Sequence, residues 1–210
     1  MYTPRFNQVD DEEEIRALVT AARTAWFVTT GHDGLPVATL LPILWRGDTV
    51  IAHMARANRQ WRHLPPHAPA LLIVTGPDAY VSPNWYRAKA EHGKVVPTWN
   101  YSAVHLSGTT VVHSDAEWLR RAVTALTEAH ESGREHPWAV TDAPADYIDM
   151  QLSGIVGIEI HVTKVEGKEK FSQNRSEADR RGVIDGLTGE PLPGAAAVAA
   201  AMRAQLDETV

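Results

Sequence analysis

Cysteine is absent from the 210 residues, which removes disulfides, thiolate metal sites and cysteine nucleophiles at once. No apolar run approaches the roughly 18 residues that a membrane-spanning helix needs. Neither G-x-G-x-x-G nor G-x-x-x-x-G-K-[ST] occurs, so no dinucleotide fingerprint and no P-loop is signalled. H-E-x-x-H and G-x-S-x-G are missing too, and no nucleophile–base pair is readable. A basic surplus is also lacking: 20 Lys and Arg face 26 Asp and Glu, a net charge of −6. Gripping a phosphodiester backbone draws on such a surplus, so net charge does not support DNA as a partner, and only a local basic patch would make it possible. The first residues, 1–14, are polar and acidic with no apolar h-region, and the expected location is the cytoplasm, with no membrane attachment.

What is present is an ordinary globular composition, 44% apolar and 22% charged, enough for one substantial core. Asp10 and Asp11 can cap a first helix whose apolar face carries Ile15, Leu18, Val19 and Ala22. The period then changes. Strands are predicted at 25–30, 35–45 and 49–54, joined by turns at Gly31-His32-Asp33-Gly34 and Arg46-Gly47-Asp48. Further strands are predicted at 69–75, closed by a Gly76-Pro77 break, at 100–113, and at 155–165, where Ile158, Ile160 and Val162 alternate with polar residues. Ser114 and Asp115 can cap a helix ending near Gly133, and a shorter helix is expected over 144–152. Strands joined by tight turns, with helices inserted late, predict an α+β fold built on an antiparallel barrel. The tail beyond Leu187 is Ala-rich with little apolar bulk. It is expected as a peripheral helix or partly disordered, giving one domain over 1–186 and a tail over 187–210.

Four blocks carry the candidate chemistry. Residues 53–61 cluster Arg56, Asn58, Arg59 and Gln60 just past a strand end, where a phosphate could find charge-assisted donors. A solvated surface loop would read the same way. Residues 79–86 and 94–101 mix Tyr80, Trp85, Tyr86, Trp99 and Tyr101 with Ser, Thr, Asn and Lys. That mixture suits a planar heteroaromatic ligand, and it equally suits an aromatic core or subunit interface. Residues 168–175 again gather donors directly after the last strand.

Taken in order, these blocks resemble one family, the PaiB-like FMN-binding negative transcriptional regulators. The likeness is carried by Met1-Tyr2-Thr3-Pro4-Arg5, by residues 53–61, by Gly76-Pro77 with 79–86, and by 94–105. It continues through Lys170–Arg175 and Asp179-Arg180, and so covers about residues 1–185. Arg59 stands where the family pattern has Pro, and Phe171 where it has Leu. The resemblance implies a split β-barrel, a Greek-key antiparallel barrel with peripheral helices, related to pyridoxamine-phosphate oxidase and flavin reductases. It implies a homodimer with FMN at the subunit interface. The phosphate would meet Arg56, Asn58 and Arg59, and the isoalloxazine would lie near Thr39 and Leu40 with edge contacts from Trp99 and Asn100. Lys170, Ser172, Gln173 and Arg175 would complete the pocket, from the same chain or its partner.

Ten histidines raise the question of metal or haem. His63 and His67 are four apart, but Pro65 and Pro66 between them disfavour a regular helix, and no metal site is expected. Haem is the alternative cofactor, since split-barrel relatives include haem-binding and haem-degrading proteins, with His53 or His105 as axial candidates. Whether the chain is an enzyme stays open. An FMN-dependent oxidoreductase using NAD(P)H is the other reading, and there the flavin carries the reactive chemistry.

Overall fold

The computed structural model describes residues 1–207. Its strands and helices run, in chain order, β1 (Gln8–Val9), α1 (Glu12–Ala22), β2 (Thr24–Thr30), β3 (Pro36–Pro42), β4 (Leu44–Arg46), β5 (Thr49–Ala55), β6 (Ala68–Val81) and α2 (Arg87–His92). They continue with β7 (Thr98–His113), α3 (Ala116–Glu131), α4 (Ala145–Ser153), β8 (Ile155–Lys170), α5 (Glu177–Thr188) and α6 (Ala195–Asp207). Eight strands form one sheet in the order β3-β2-β6-β7-β8-β5-β4, with β1 added to β8. The pairings of β2 with β3 and β6, and of β5 with β4 and β8, are all antiparallel. The predicted α+β antiparallel fold is therefore the one observed.

The chain divides into two compact units. One comprises Met1–Ile15, Thr75–Val104 and the chain from Glu166 onward; the other comprises Arg16–Val74 and His105–Val165. In the second unit the core is built from inward residues at period two: Phe27 of β2, Val50 and Ala52 of β5, Leu72 of β6, and Ile158 and Ile160 of β8. Asp115 caps α3 as expected, its carboxylate accepting from the Trp118 N–H at 2.8 Å. The Asp11 carboxylate accepts from the N–H groups of Glu13 (2.8 Å) and Glu14 (3.1 Å) at the start of α1.

In the first unit, Val198, Ala199, Met202 and Leu206 of α6 are buried in one cluster with Val183, Ile184 and Leu187 of α5. The Ala-rich tail thus forms a packed helix rather than a loose one. Its small side chains permit close approach, and the few large ones fall on one face. Residues 208–210 of the predicted tail lie outside the described residues.

Two predicted boundaries move for identifiable reasons. The single strand expected at 35–45 breaks at Ile43, which is buried and donates its N–H to the Arg23 carbonyl at 3.0 Å. Pro42 ends β3 there, having no N–H to continue a ladder. Conversely, β6 runs through Gly76-Pro77 to Val81. Gly76 faces Ser102, whose hydroxyl occupies the space a Cβ would take, so that glycine marks a close approach of chains and not a turn.

Candidate functional site

The segment after β5 is held from three sides. The Asn58 N–H donates to the Ala55 carbonyl at 2.9 Å, closing a turn. The Asn58 carboxamide then spans the loop: its oxygen accepts from the Gln60 N–H (2.9 Å) and its nitrogen donates to the Thr39 hydroxyl (3.0 Å). Gln60 is the anchor. Its side chain is buried, and its amide nitrogen shares two N–H groups among the Phe27 carbonyl (3.0 Å), the Thr29 hydroxyl (3.0 Å) and the Val37 carbonyl (3.1 Å). It also accepts from the Thr39 hydroxyl at 2.6 Å. One amide thus ties the loop to both strands of the β2–β3 hairpin.

The two arginines of this loop differ. Arg56 spends its guanidinium on main-chain carbonyls, Nε to Ser153 (2.8 Å) and a terminal nitrogen to Ile155 (3.0 Å), while its N–H donates to Gly154 (2.8 Å). It braces the loop against the turn between α4 and β8. Arg59 is exposed and, among the described residues, pairs with no carboxylate. It lines a cleft of about 330 Å³ together with Thr29, His32, Asp33, Gln60 and His63. The rings of His32 and His63 lie 5.8 Å apart. A cleft with an uncommitted guanidinium and two imidazoles is suited to an anion.

Beside it, β3 presents apolar surface to the outside. Leu40 is 49% exposed and pairs in register with Trp26, itself 44% exposed. Trp26 also faces Ile73, and Val28 lies between Ala38 and Leu71, so one face of three strands is a continuous apolar strip. Strips of this kind on a soluble protein mark contact surfaces.

The remaining predicted residues belong to the first unit. Asn100 is fully buried, its amide nitrogen donating to the Ser172 hydroxyl (3.1 Å) and the Met202 sulfur (3.3 Å). The Gln173 amide donates to the Glu169 carbonyl (2.7 Å) and accepts from the Phe171 N–H (2.7 Å), bracing its own loop. Ser172 sits at φ 62°. Lys170 donates to the Thr98 hydroxyl (2.5 Å) and to the Trp99 carbonyl. Arg175 lies 4.9 Å from the Tyr86 ring centre. Trp99, half exposed, meets Tyr80 edge to face at 6.1 Å. Trp85 lies on the glycine face of α5, against Gly182 and Gly186. Of the aromatic blocks, Tyr86 is therefore core, Trp85 packs partly buried against that core, and Trp99 is half exposed.

His53, an axial candidate for haem, sits in β5 with Nδ1 buried and, among the described residues, without a hydrogen-bond partner. Burial pushes its pKa below the usual 6.5. A base harder to protonate in the folded state binds fewer protons there, so stability is lost as pH falls below 6.5 and levels off once the folded imidazole titrates. His53→Leu is expected to flatten that stretch of a urea-midpoint curve against pH. An unchanged slope would assign the titration to another group.

Gln60 is a residue of the site that the sequence does not mark, although it lies within the donor-rich block 53–61. Only its burial distinguishes it from a surface glutamine, and burial follows from the β2–β3 hairpin arriving over it. A larger cavity, about 660 Å³, opens between α3 and α4 against Trp138, Val140 and Ile148. It gathers none of the predicted site residues. No group of three or more His, Asp or Glu able to hold a metal occurs among the described residues.

The family model described as "Putative FMN-binding domain" matches residues 1–164. The chain is 33% identical over 214 residues, spanning 100% of both chains, to "Protease synthase and sporulation protein PAI 2" of Bacillus subtilis. It is 35% identical over 156 residues to an uncharacterized protein of Aspergillus fumigatus, covering 67% of this chain and 59% of that one. Among solved structures, the "FAD and Heme binding protein" of Mycobacterium smegmatis superimposes with a TM-score of 0.60 at 22% identity, covering 90% and 82%. The flavocytochrome Anf3 of Azotobacter vinelandii does so with 0.56 at 20%, covering 92% and 81%. At those identities the superpositions speak for the fold alone.

Proposed function

The chain belongs to the family of FMN-binding domains that its residues 1–164 match, and from that membership we propose that it holds FMN with the phosphate at residues 56–60 and the ring along β3. The observation that carries this reading is the Thr39–Asn58–Gln60 network. It fixes a donor-bearing loop beside an exposed apolar strand before any ligand arrives. Asn58 and Arg59 are the donors toward the phosphate, and Arg56 positions the loop through Ser153 and Ile155. Thr39 and Leu40 border the ring. The fit is chemical as well as spatial: an unpaired guanidinium suits a phosphate dianion, and an apolar strand suits a tricyclic ring. FMN, when bound, supplies electron or hydride transfer, and the chain supplies orientation and exclusion of water.

We propose further that two copies associate through the strip of Trp26, Leu40, Ile73 and Val28, which would otherwise stay wet. A transcriptional output, on this account, runs through a protein partner, because the net charge of −6 favours no direct grip on DNA. One chromatographic experiment addresses all three points. Flavin absorbance is expected to co-elute with protein at twice 23.1 kDa, and an added promoter fragment is expected to elute apart. Trp26→Glu with Ile73→Glu is expected to elute at the single-chain mass. Co-elution of DNA, or a wild-type chain of single mass, would overturn the corresponding part.

A further inference from the structure

We propose that the cavity at the Lys170–Arg175 turn binds a small organic anion, a carboxylate on a short apolar or aromatic body, as a second ligand distinct from the flavin. The inference rests on the preceding assignment of the flavin phosphate to residues 56–60, and it removes Lys170, Ser172 and Arg175 from the flavin's own ligands.

The cavity measures about 240 Å³ and lies within the first unit. At roughly 20 Å³ per heavy atom it holds a molecule of about twelve such atoms, which is too little room for a three-ring flavin with its ribityl phosphate. Its polar wall carries Lys170, Arg175, Thr98 and Ser172, together with the buried Asn7 and with Asn174. Its apolar wall is Phe6, Tyr86, Val96 and Pro97. Among the described residues no carboxylate lines it.

The charge balance points the same way. Arg175 contacts the Tyr86 ring and, among the described residues, has no acidic partner. Among the described residues the Lys170 ammonium bonds neutral oxygens, those of Thr98 and Trp99. Two residues earlier on β8, Lys168 is 7% exposed, and its ammonium too bonds neutral oxygens, the Tyr2 carbonyl (3.1 Å) and the Tyr101 hydroxyl (2.8 Å). Burial, and then the charge of Lys168, push the Lys170 pKa down. Among the described residues none of these three cations pairs directly with a carboxylate, and cations placed so close together carry an electrostatic cost that a bound anion relieves. The fork of Arg175 can take both oxygens of a carboxylate while Lys170 donates its remaining proton to one of them. The aromatic wall then covers the apolar body. The turn itself is pre-set: Ser172 is held at φ 62° by its bond to Asn100, and Gln173 closes the loop on Glu169 and Phe171.

The test uses benzoate, with neutral benzamide as its shape control, titrated by calorimetry into the full chain without flavin. Benzoate is expected to bind at least tenfold more tightly than benzamide, and Arg175→Met and Lys170→Met are each expected to abolish that preference. FMN affinity, measured on the same variants, is expected to stay within twofold of wild type. Because Lys170→Met also removes bonds to Thr98 and Trp99, Arg175→Met, which gives up a ring contact with Tyr86 instead, keeps the test valid if the first variant unfolds. Equal binding of benzoate and benzamide, or a preference that survives Arg175→Met, would overturn the proposal. So would a tenfold loss of FMN affinity in Arg175→Met, which would return these residues to the flavin. Failure of wild type to bind FMN at all would instead strike the flavin assignment, and the benzoate result would stand apart from it.

Discussion

Gln60→Leu is expected to lower the stability of the chain by about 2–4 kcal/mol and its FMN affinity at least tenfold. Leucine is close to glutamine in volume, so no cavity opens; what changes is hydrogen bonding. The Phe27 and Val37 carbonyls and the hydroxyls of Thr29 and Thr39 each lose a partner in a buried place. A buried polar group left unmatched costs about 1–3 kcal/mol, and some of these groups find other partners within the hairpin, which gives the range stated. The loss of FMN affinity follows from the second role of Gln60. Without it the 56–60 loop is no longer tied to β2 and β3, and binding must then supply the ordering that folding had supplied. Urea unfolding and an FMN titration on one preparation check both effects. A variant as stable as wild type would show that the network is incidental.

Gly157→Val is expected to destabilise the chain by about 3 kcal/mol or more, with the damage centred away from the flavin loop. Gly157 lies in β8 opposite His53, and the Trp118 ring rests directly on its Cα, so any Cβ overlaps that ring. The indole has nowhere to retreat. It stacks on His113 at 4.0 Å with 7° between the planes, and its Nε1 donates to the Glu159 carboxylate at 3.1 Å. Moving it breaks both contacts and lifts α3 off the sheet, the overpacking case in which strain exceeds any gain in buried surface. Thermal unfolding measures the effect. A melting temperature within a degree or two of wild type would contradict this packing. Trp118→Phe in the Gly157→Val background leaves a smaller ring and is expected to restore part of the loss.

How much of this was legible in the sequence depends on how local the cause was. Helix starts were readable because Asp11 and Asp115 act within three residues of themselves. The alternation of β8 showed at Ile158 and Ile160 because one face of that strand is buried. Reading stopped short where the deciding neighbour is distant in sequence. Gly76-Pro77 has the composition of a turn, and only Ser102 across the sheet makes it a close approach within a strand. The composition of the tail leaves a peripheral helix and partial disorder both open, and only the packing of α6 beside α5 decides for a buried helix.

The site divides along the same line. The block at 53–61 announced its donors, but not that Arg56 is occupied with Ser153 and Ile155 while Arg59 remains available. Arg59 is also where the chain departs from the family pattern, with a cation in place of a ring that donates nothing. Trp85 and Trp99 sit in equivalent-looking aromatic runs. Two glycines of α5 draw the first against the core, and the second remains half exposed. Residue type was visible in each case, and commitment to a partner was not. That the cavity bearing Lys170 and Arg175 is lined by no carboxylate among the described residues belongs to that second kind as well, since Glu169 is adjacent to Lys170 in sequence yet does not line it.

The central claim is that residues 56–60 recognise the phosphate of FMN, and titrating wild type and an Asn58→Ala, Arg59→Ala variant with FMN and with riboflavin tests it most directly. The two flavins share a ring and differ by that phosphate, and a charge-assisted hydrogen bond is worth about 1.5–3 kcal/mol, roughly a factor of ten to a hundred each. Wild type is expected to prefer FMN by at least tenfold, and the variant to bind both flavins with the affinity wild type has for riboflavin, its fold unchanged by circular dichroism. A variant that keeps the full preference, or a wild type without one, would contradict the account.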